Sequence, residues 1–299
     1  MNILITGASG LIGTALKEYL EANEHKIFKM ERKRRIVDDP FSWWPENNLI
    51  QYDESINIDI IINLAGENIS SGRWTKEKKN KIYNSRIDST RLLSERLAAL
   101  AHKPELFISA SAISYYGDCG DEIVAENHSL GSGFLPQVCK DWEAATSPAE
   151  QAGIRAVKLR LGIVMTPKGG MLEKIMLPFK LGLGGKLGNG RQFMSWICLD
   201  ELCHVIEFII NNKNLGGALN IVSPKPIRNS DFTKSLGKVL HRPTIFTIPK
   251  FILKLLYGEM ADEMLLASTR AIPKKLENAG YQFIKPEFSL DKIISNEDY

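Results

Sequence analysis

The chain of 299 residues has little net charge, few cysteines and no long apolar run. Thirty-eight Lys and Arg stand against 35 Asp and Glu, a formal charge of only +3. That is too small to argue for a nucleic-acid partner, while phosphorylated small molecules stay compatible. No apolar stretch approaches the roughly 18 residues that span a bilayer, so no membrane partner is expected. The sequence opens directly on a strand-like run, and no signal peptide is expected. Cys119, Cys139, Cys198 and Cys203 form no C-x-x-C pair and have no His at metal-ligand spacing. Neither a disulfide framework nor a metal site follows, and the cytoplasm is the expected compartment.

What is present begins at residue 3. The run Ile3–Ile5 ends in glycines at 7, 10 and 13, and Leu11, Ile12, Leu16 and Leu20 follow at roughly helical spacing. This reads as strand, tight turn and helix, which aims backbone N–H groups and a helix N-terminus at one point, where a pyrophosphate can sit. The spacing is G-x-x-G-x-x-G rather than G-x-G-x-x-G, but the strand before it and the helix after it are the context a dinucleotide site requires. Gly7, Ala8, Ser9, Gly10, Leu11, Ile12 and Gly13 are therefore the expected cofactor turn. A second strand reads His25 to Met30 and runs into Glu31, Arg32, Lys33, Arg34 and Arg35. Cations at that strand end suit the 2′-phosphate of NADP, with Arg32 and Lys33 as its ligands, whereas Glu31 keeps NAD open.

Strand-like and helix-like segments alternate onward. A loop carries Pro40, Phe41, Trp43, Trp44 and Pro45; Asp59 to Gly66 reads as a buried strand ending in a turn; a long helix covers about 76–101; Glu105 to Ala110 is the next strand. Phe134 to Gln151 reads as a helix, Ile154 to Val164 as a strand, Leu199 to Asn211 as a helix and Ala218 to Val222 as a strand. The alternation predicts an α/β fold, a doubly wound parallel sheet with helices on both faces. Glycine-rich loops after residue 168 and the Pro-rich helical stretch from 224 predict a second, smaller lobe. The expected division is 1–167 with 197–223 for the nucleotide domain, and 168–196 with 224–299 for a substrate cap. A small-molecule substrate is expected between them.

Thr6–Gly13, Asn63-Leu64-Ala65-Gly66 and Ser109–Ala112 followed by Tyr115-Tyr116-Gly117 resemble the extended short-chain dehydrogenase/reductases. More narrowly, Val138–Glu143, Gly190-Arg191-Gln192, Ser195-Trp196-Ile197, Gly258–Asp262, Pro273–Leu276 and Ala279-Gly280-Tyr281 are similar to an atypical subgroup. Its members are NAD-dependent epimerase/dehydratase-like and end in a C-terminal domain of unknown function. The resemblance implies a Rossmann-type fold, NADP or NAD as cofactor, and Leu64, Ala65, Gly66 and Glu67 in the cofactor crevice. It leaves a homodimer open and names no substrate.

The parent family uses a Tyr to move the proton and a Lys four residues later to tune it, because i and i+4 share one helical face. Aligned on Glu143, those positions hold Leu135 and Cys139. Ser111 keeps the family's orienting serine, and Arg86 stands where an Asn is usual. Three readings are left. Tyr116, ahead of Tyr115, supplies the phenol with Arg86 as cation and Ser111 orienting the reacting oxygen. Alternatively Cys139 is the acid/base, its thiol tuned by Arg86. Or the chain binds NADP(H) without turnover, as a regulator or redox sensor. Arg160, Lys186 and Arg191 are expected to hold an anionic group of the substrate, since bidentate anion recognition is an arginine role.

Overall fold

The computed structural model describes residues 1–33 and 39–295; Arg34 and Arg35 of the basic run lie outside the described residues. Short apolar runs buried on both faces build one central sheet. Its strands are β1 (Asn2–Thr6), β2 (Lys26–Arg32), β3 (Phe41–Trp44), β4 (Leu49–Tyr52), β5 (Ile60–Asn63), β6 (Leu106–Ala112), β7 (Arg155–Leu161) and β8 (Gly217–Ile221). Their order is β8-β7-β6-β5-β1-β2-β3-β4, parallel throughout except for the β3–β4 hairpin.

Side chains alternate across the sheet. Ile3, Ile5, Ile60 and Ile62 face α1 (Leu11–Ala22), through Leu16 and Leu20, and a second helix (Leu199–Asn211), through Ile206 and Ile209. Leu4, Ile61 and Phe107 point the other way, onto Leu93 and Leu97 of α2 (Lys76–Ala99). Burying each such side chain contributes roughly 1.5–3 kcal/mol. From β1 the chain moves outward to β2–β4, then returns to the opposite side of β1 at β5. That reversal opens a crevice at the carboxyl ends of β1 and β5, where α/β proteins of this topology bind ligands.

Three local expectations need correction. The segment 41–44 is a strand, not a loop, because Phe41 and Trp43 alternate into the core, Phe41 meeting Phe28 and Tyr52 edge-on at 5.6 and 5.1 Å. The helix expected over 134–151 is two, α3 (Phe134–Ala144) and α4 (Ser147–Gln151). Pro148 has no N–H to continue the ladder, and the Thr146 hydroxyl takes over the Glu143 carbonyl at 2.8 Å. The strand expected over 154–164 stops at Leu161; Ile163–Met165 pairs separately with Trp196–Cys198.

A further core lies apart from the sheet. It joins α5 (Gly170–Lys180), through Leu172 and Phe179, with Trp196, with Phe232 and Leu236 of the helix Asn229–Val239, and with Leu290 and Ile293. Among the described residues no helix is long and apolar enough to cross a membrane.

Candidate cofactor and active site

The crevice is walled by backbone. Gly7 has φ +69°, and a Cβ there would stand 2.8 Å from the Leu64 carbonyl carbon. A Cβ on Gly13 would stand 2.2 Å from the Gly7 oxygen, so α1 sits flush against the turn that precedes it. Gly10 begins α1 with no side-chain cap, which leaves the N–H groups of the first turn open toward the crevice. Beneath it, the Thr6 hydroxyl donates to Asn63 Oδ1 at 2.6 Å, and Asn63 Nδ2 donates to the Thr90 hydroxyl at 2.8 Å. Trp142 Nε1 donates to the same hydroxyl at 2.9 Å, which ties β1, β5, α2 and α3 into one rigid floor.

Arg86 reaches this crevice from α2. Its guanidinium lies 3.2 Å from the Cβ that Gly66 lacks and 5.1 Å from the Trp142 ring. Nη1 donates to the Ile82 carbonyl at 3.1 Å, and among the described residues no carboxylate lies within ion-pair distance of it. Burial pulls its pKa below the usual arginine value. Glu67 at the rim pairs with Lys78 at 2.6 Å, and that hydrogen bond lowers its pKa. At the end of β2, Arg32 is exposed and paired with Glu46, and Lys33 is paired with Asp39 and lies 3.7 Å from Glu31. Both described cations of the expected phosphate site therefore already have carboxylate partners.

At the carboxyl ends of β6 and β7 the chemistry runs inward. The Ser111 hydroxyl donates to Glu143 Oε1 at 2.7 Å, and Arg160 holds the same carboxylate from Nε at 2.8 Å and Nη2 at 3.0 Å. Arg160 Nη1 donates to the Tyr116 hydroxyl at 2.9 Å, which donates to Asn220 Oδ1 at 2.7 Å. Burial opposes the Arg160 charge, yet the Glu143 hydrogen bonds and charge hold its pKa above the usual value.

This cluster corrects three assignments. Tyr116 is buried and doubly bonded inside the protein, and burial pushes its phenol up to about 12. Its hydroxyl is turned into the protein by these two bonds rather than exposed at the crevice. Tyr115 is half-buried, with the Arg160 guanidinium 3.5 Å above its ring. Cys139 is sealed, and burial pushes its thiol up to about 12, so it is neither a thiolate nor an accessible acid near neutrality. Arg160 is spent on Glu143 and has no free fork for a substrate anion.

A separate cavity of about 230 Å³ opens where Leu135 stands in place of the family tyrosine. Ser114, Asp118, Leu135, Pro136, Lys250, Asp262 and Glu263 line it. Arg160, Lys186 and Arg191 do not: Lys186 lies over Gly190, and Arg191 is exposed. Glu263 caps α3, its two oxygens accepting from the N–H groups of Phe134 and Leu135 at 2.8 and 2.7 Å. It belongs to a π-helical stretch, Ala261–Leu266, a distortion common at functional sites. Ser114 and Glu263 are absent from the sequence-based candidates. Glu263 immediately follows the Gly258–Asp262 motif, and that adjacency was the available signal.

A parallel sheet with a switch point, a glycine turn and an uncapped helix N-terminus define a Rossmann-type α/β protein. The chain belongs to the NAD dependent epimerase/dehydratase family, which it matches over residues 3–222; residues 248–289 match a domain of unknown function, DUF1731. It is 41% identical to Epimerase family protein Mb2239 of Mycobacterium bovis over 94% of this chain and 93% of that one. With Epimerase family protein YfhF of Bacillus subtilis the identity is 32%, over 99% of each chain. The crystal structure of human epimerase family protein SDR39U1 with NADPH superposes with a TM-score of 0.88 at 29% identity, covering 99% of this chain and 100% of that one.

Proposed function

We propose that this protein binds NADP(H) in the β1/β5 crevice and carries out reversible hydride transfer on a small carbonyl or alcohol, without the Tyr–Lys pair. The carrying observation is the glycine cradle: backbone fills the Cβ positions of Gly7 and Gly13, and the first turn of α1 faces the space they clear. The residues present fit a dinucleotide. The N–H groups of Ala8, Ser9, Leu11 and Ile12 would hold the pyrophosphate, the Gly10 N–H being used on the Gly7 carbonyl at 3.0 Å, and Arg86, a crevice cation with no carboxylate partner among the described residues, would hold the ribose end beside Leu64–Gly66. The NADPH bound to the human relative supports the phosphorylated cofactor; NAD remains the alternative that Glu31 would serve.

The nicotinamide, when bound, supplies or accepts the hydride. The chain's own residues position the oxygen that changes. Tyr115 and Ser114 are the hydroxyls left for that proton, and Ser111 acts behind them by holding Glu143. We further take the sheet and the unit built from 168–196 and 224–299 as two lobes, with substrate in the Leu135 cavity between them.

One observation favours a second reading. Leu135, the sealed Cys139 and the inward-turned Tyr116 together fit an NADP(H)-binding regulator without turnover. Fluorescence titration with NADPH and NADH, followed by NADPH oxidation over a panel of aldehydes and ketones, separates the two. Turnover that Tyr115→Phe lowers at least ~100-fold, within the range expected of a positioned acid, establishes the enzyme. Tight NADPH binding with no oxidation on any panel member establishes the regulator. Failure to bind either dinucleotide overturns both.

A further inference from the structure

Exposed apolar side chains are concentrated on one face. Leu177, Leu181, Leu183, Ile245, Phe251 and Leu255 are each between 61% and 80% exposed. They come from the end of α5, the loop after it, and the segment leading into and along the helix Lys250–Tyr257. These segments are neighbours in space: Gly185–Leu187 pairs in parallel with Phe246–Ile248, and Arg242 Nε donates to the Lys180 carbonyl at 2.8 Å. Contiguous exposed apolar surface of this kind marks an interaction site.

The concavity beside it is lined by basic side chains. Lys234, Lys238, His241 and Arg242 line a shallow concavity with Pro243 and Thr244. Among the described residues, no carboxylate lies within ion-pair distance of Lys180, Lys234, Lys238 or Arg242. Lys250 and Lys254, on the apolar helix itself, share Asp262 at 3.6 and 2.8 Å.

We propose that this face docks on the headgroup layer of an anionic lipid bilayer. Apolar side chains flanked by unpaired cations match both parts of such a surface: the side chains enter the acyl boundary, and the cations meet the lipid charge. A second copy of the chain fits less well, since a two-fold interface returns the same patch to itself and sets cations against cations. Among the described residues no helix is long and apolar enough to cross a membrane, and attachment to a bilayer surface needs none. The proposal stands apart from the cofactor reading, because none of these residues belongs to the β1/β5 crevice; only Lys250 and its partner Asp262 also line the Leu135 cavity.

The test is co-sedimentation of the full chain with phosphatidylcholine vesicles, with and without phosphatidylglycerol. Partition onto the anionic vesicles is expected to be at least ~10-fold stronger and to fade as salt is raised. Phe251→Ser with Leu255→Ser, and separately Lys238→Glu with Arg242→Glu, should each weaken it about 10-fold. NADPH titration and thermal melts serve as checks that the variants remain folded. Equal binding to both vesicle types, no binding, or binding that neither pair of substitutions alters overturns the proposal. A dimer in light scattering that Phe251→Ser with Leu255→Ser dissolves overturns it too, and makes the face a subunit interface.

Discussion

The crevice above β1 and β5 and the cluster beneath Ser111 sit at the ends of neighbouring strands, yet they are built in opposite ways. The crevice is walled by glycine and backbone, and the half-buried cation Arg86 has no carboxylate partner among the described residues. In the cluster, Ser111, Glu143, Arg160, Tyr116 and Asn220 spend their polar atoms on one another and on Glu126 and the Ile272 carbonyl. A place with donors left over is arranged for a ligand, whereas a place whose donors are all used holds the fold together.

The sharpest way to break this contrast is to cut the cluster. Glu143→Ala strands Arg160 as a buried charge and should cost about 3–5 kcal/mol in denaturant unfolding. Replacing Glu143 and Arg160 together with Leu and Met should recover most of that loss, because both charges go at once. If the single variant unfolds like the parent chain, the cluster is not structural.

Next in size is the crevice itself. Gly13→Val drives its Cβ into the Gly7 carbonyl and should weaken NADPH binding at least ~100-fold, about 2.7 kcal/mol, in fluorescence titration. Undiminished binding would place the cofactor elsewhere.

Alkaline pH distinguishes the two places more gently. Cys139 and Tyr116 each ionise only at about 12 in the fold, against ordinary values of 9.0 and 10.0. Stability contributed by keeping them protonated is intact below about pH 9 and is lost as pH rises toward about 12. Thermal melts should therefore hold level near neutrality and fall above about pH 9–10. Cys139→Ala should shrink that fall while leaving any turnover between about pH 6 and 9 within ~2-fold. A pH–rate profile that loses a limb in Cys139→Ala would return the thiol to the mechanism.

The smallest effect concerns Arg32. Its pairing with Glu46 means the phosphate must compete for it. Arg32→Ala should weaken NADPH several-fold, within the ~1 kcal/mol typical of exposed ion pairs, and leave NADH unchanged. Equal losses for the two cofactors would remove the 2′-phosphate argument.

The Gly7–Gly13 turn, the alternation of strands and helices and the helix Leu199–Asn211 were legible because they depend on local backbone needs and on side-chain period. Phe41–Trp44 was misread because flanking prolines outweighed a four-residue alternation. The direction in which Tyr115, Tyr116 and Arg160 point was not legible. It is fixed by β7 and β8, which lie tens of residues downstream: Tyr116 turns inward because Asn220 and Arg160 wait there. Glu263 was missed for a similar reason, since its task at the start of α3 is set by a contact 129 residues apart in sequence.

Arg86 also bears on whether a Tyr–Lys pair could be placed in this site. Grafting a Tyr–Lys pair onto this chain would mean Leu135→Tyr and Cys139→Lys. The new lysine would arrive in a sealed site whose electrostatic neighbours already include the Arg86 guanidinium. The nearby carboxylate, Glu143, is already held by Ser111 and Arg160, so the two cations would share that space without a free carboxylate between them. A lysine at position 139 is therefore expected to need a change at Arg86 as well, so a single side chain on α2 limits what that position can hold.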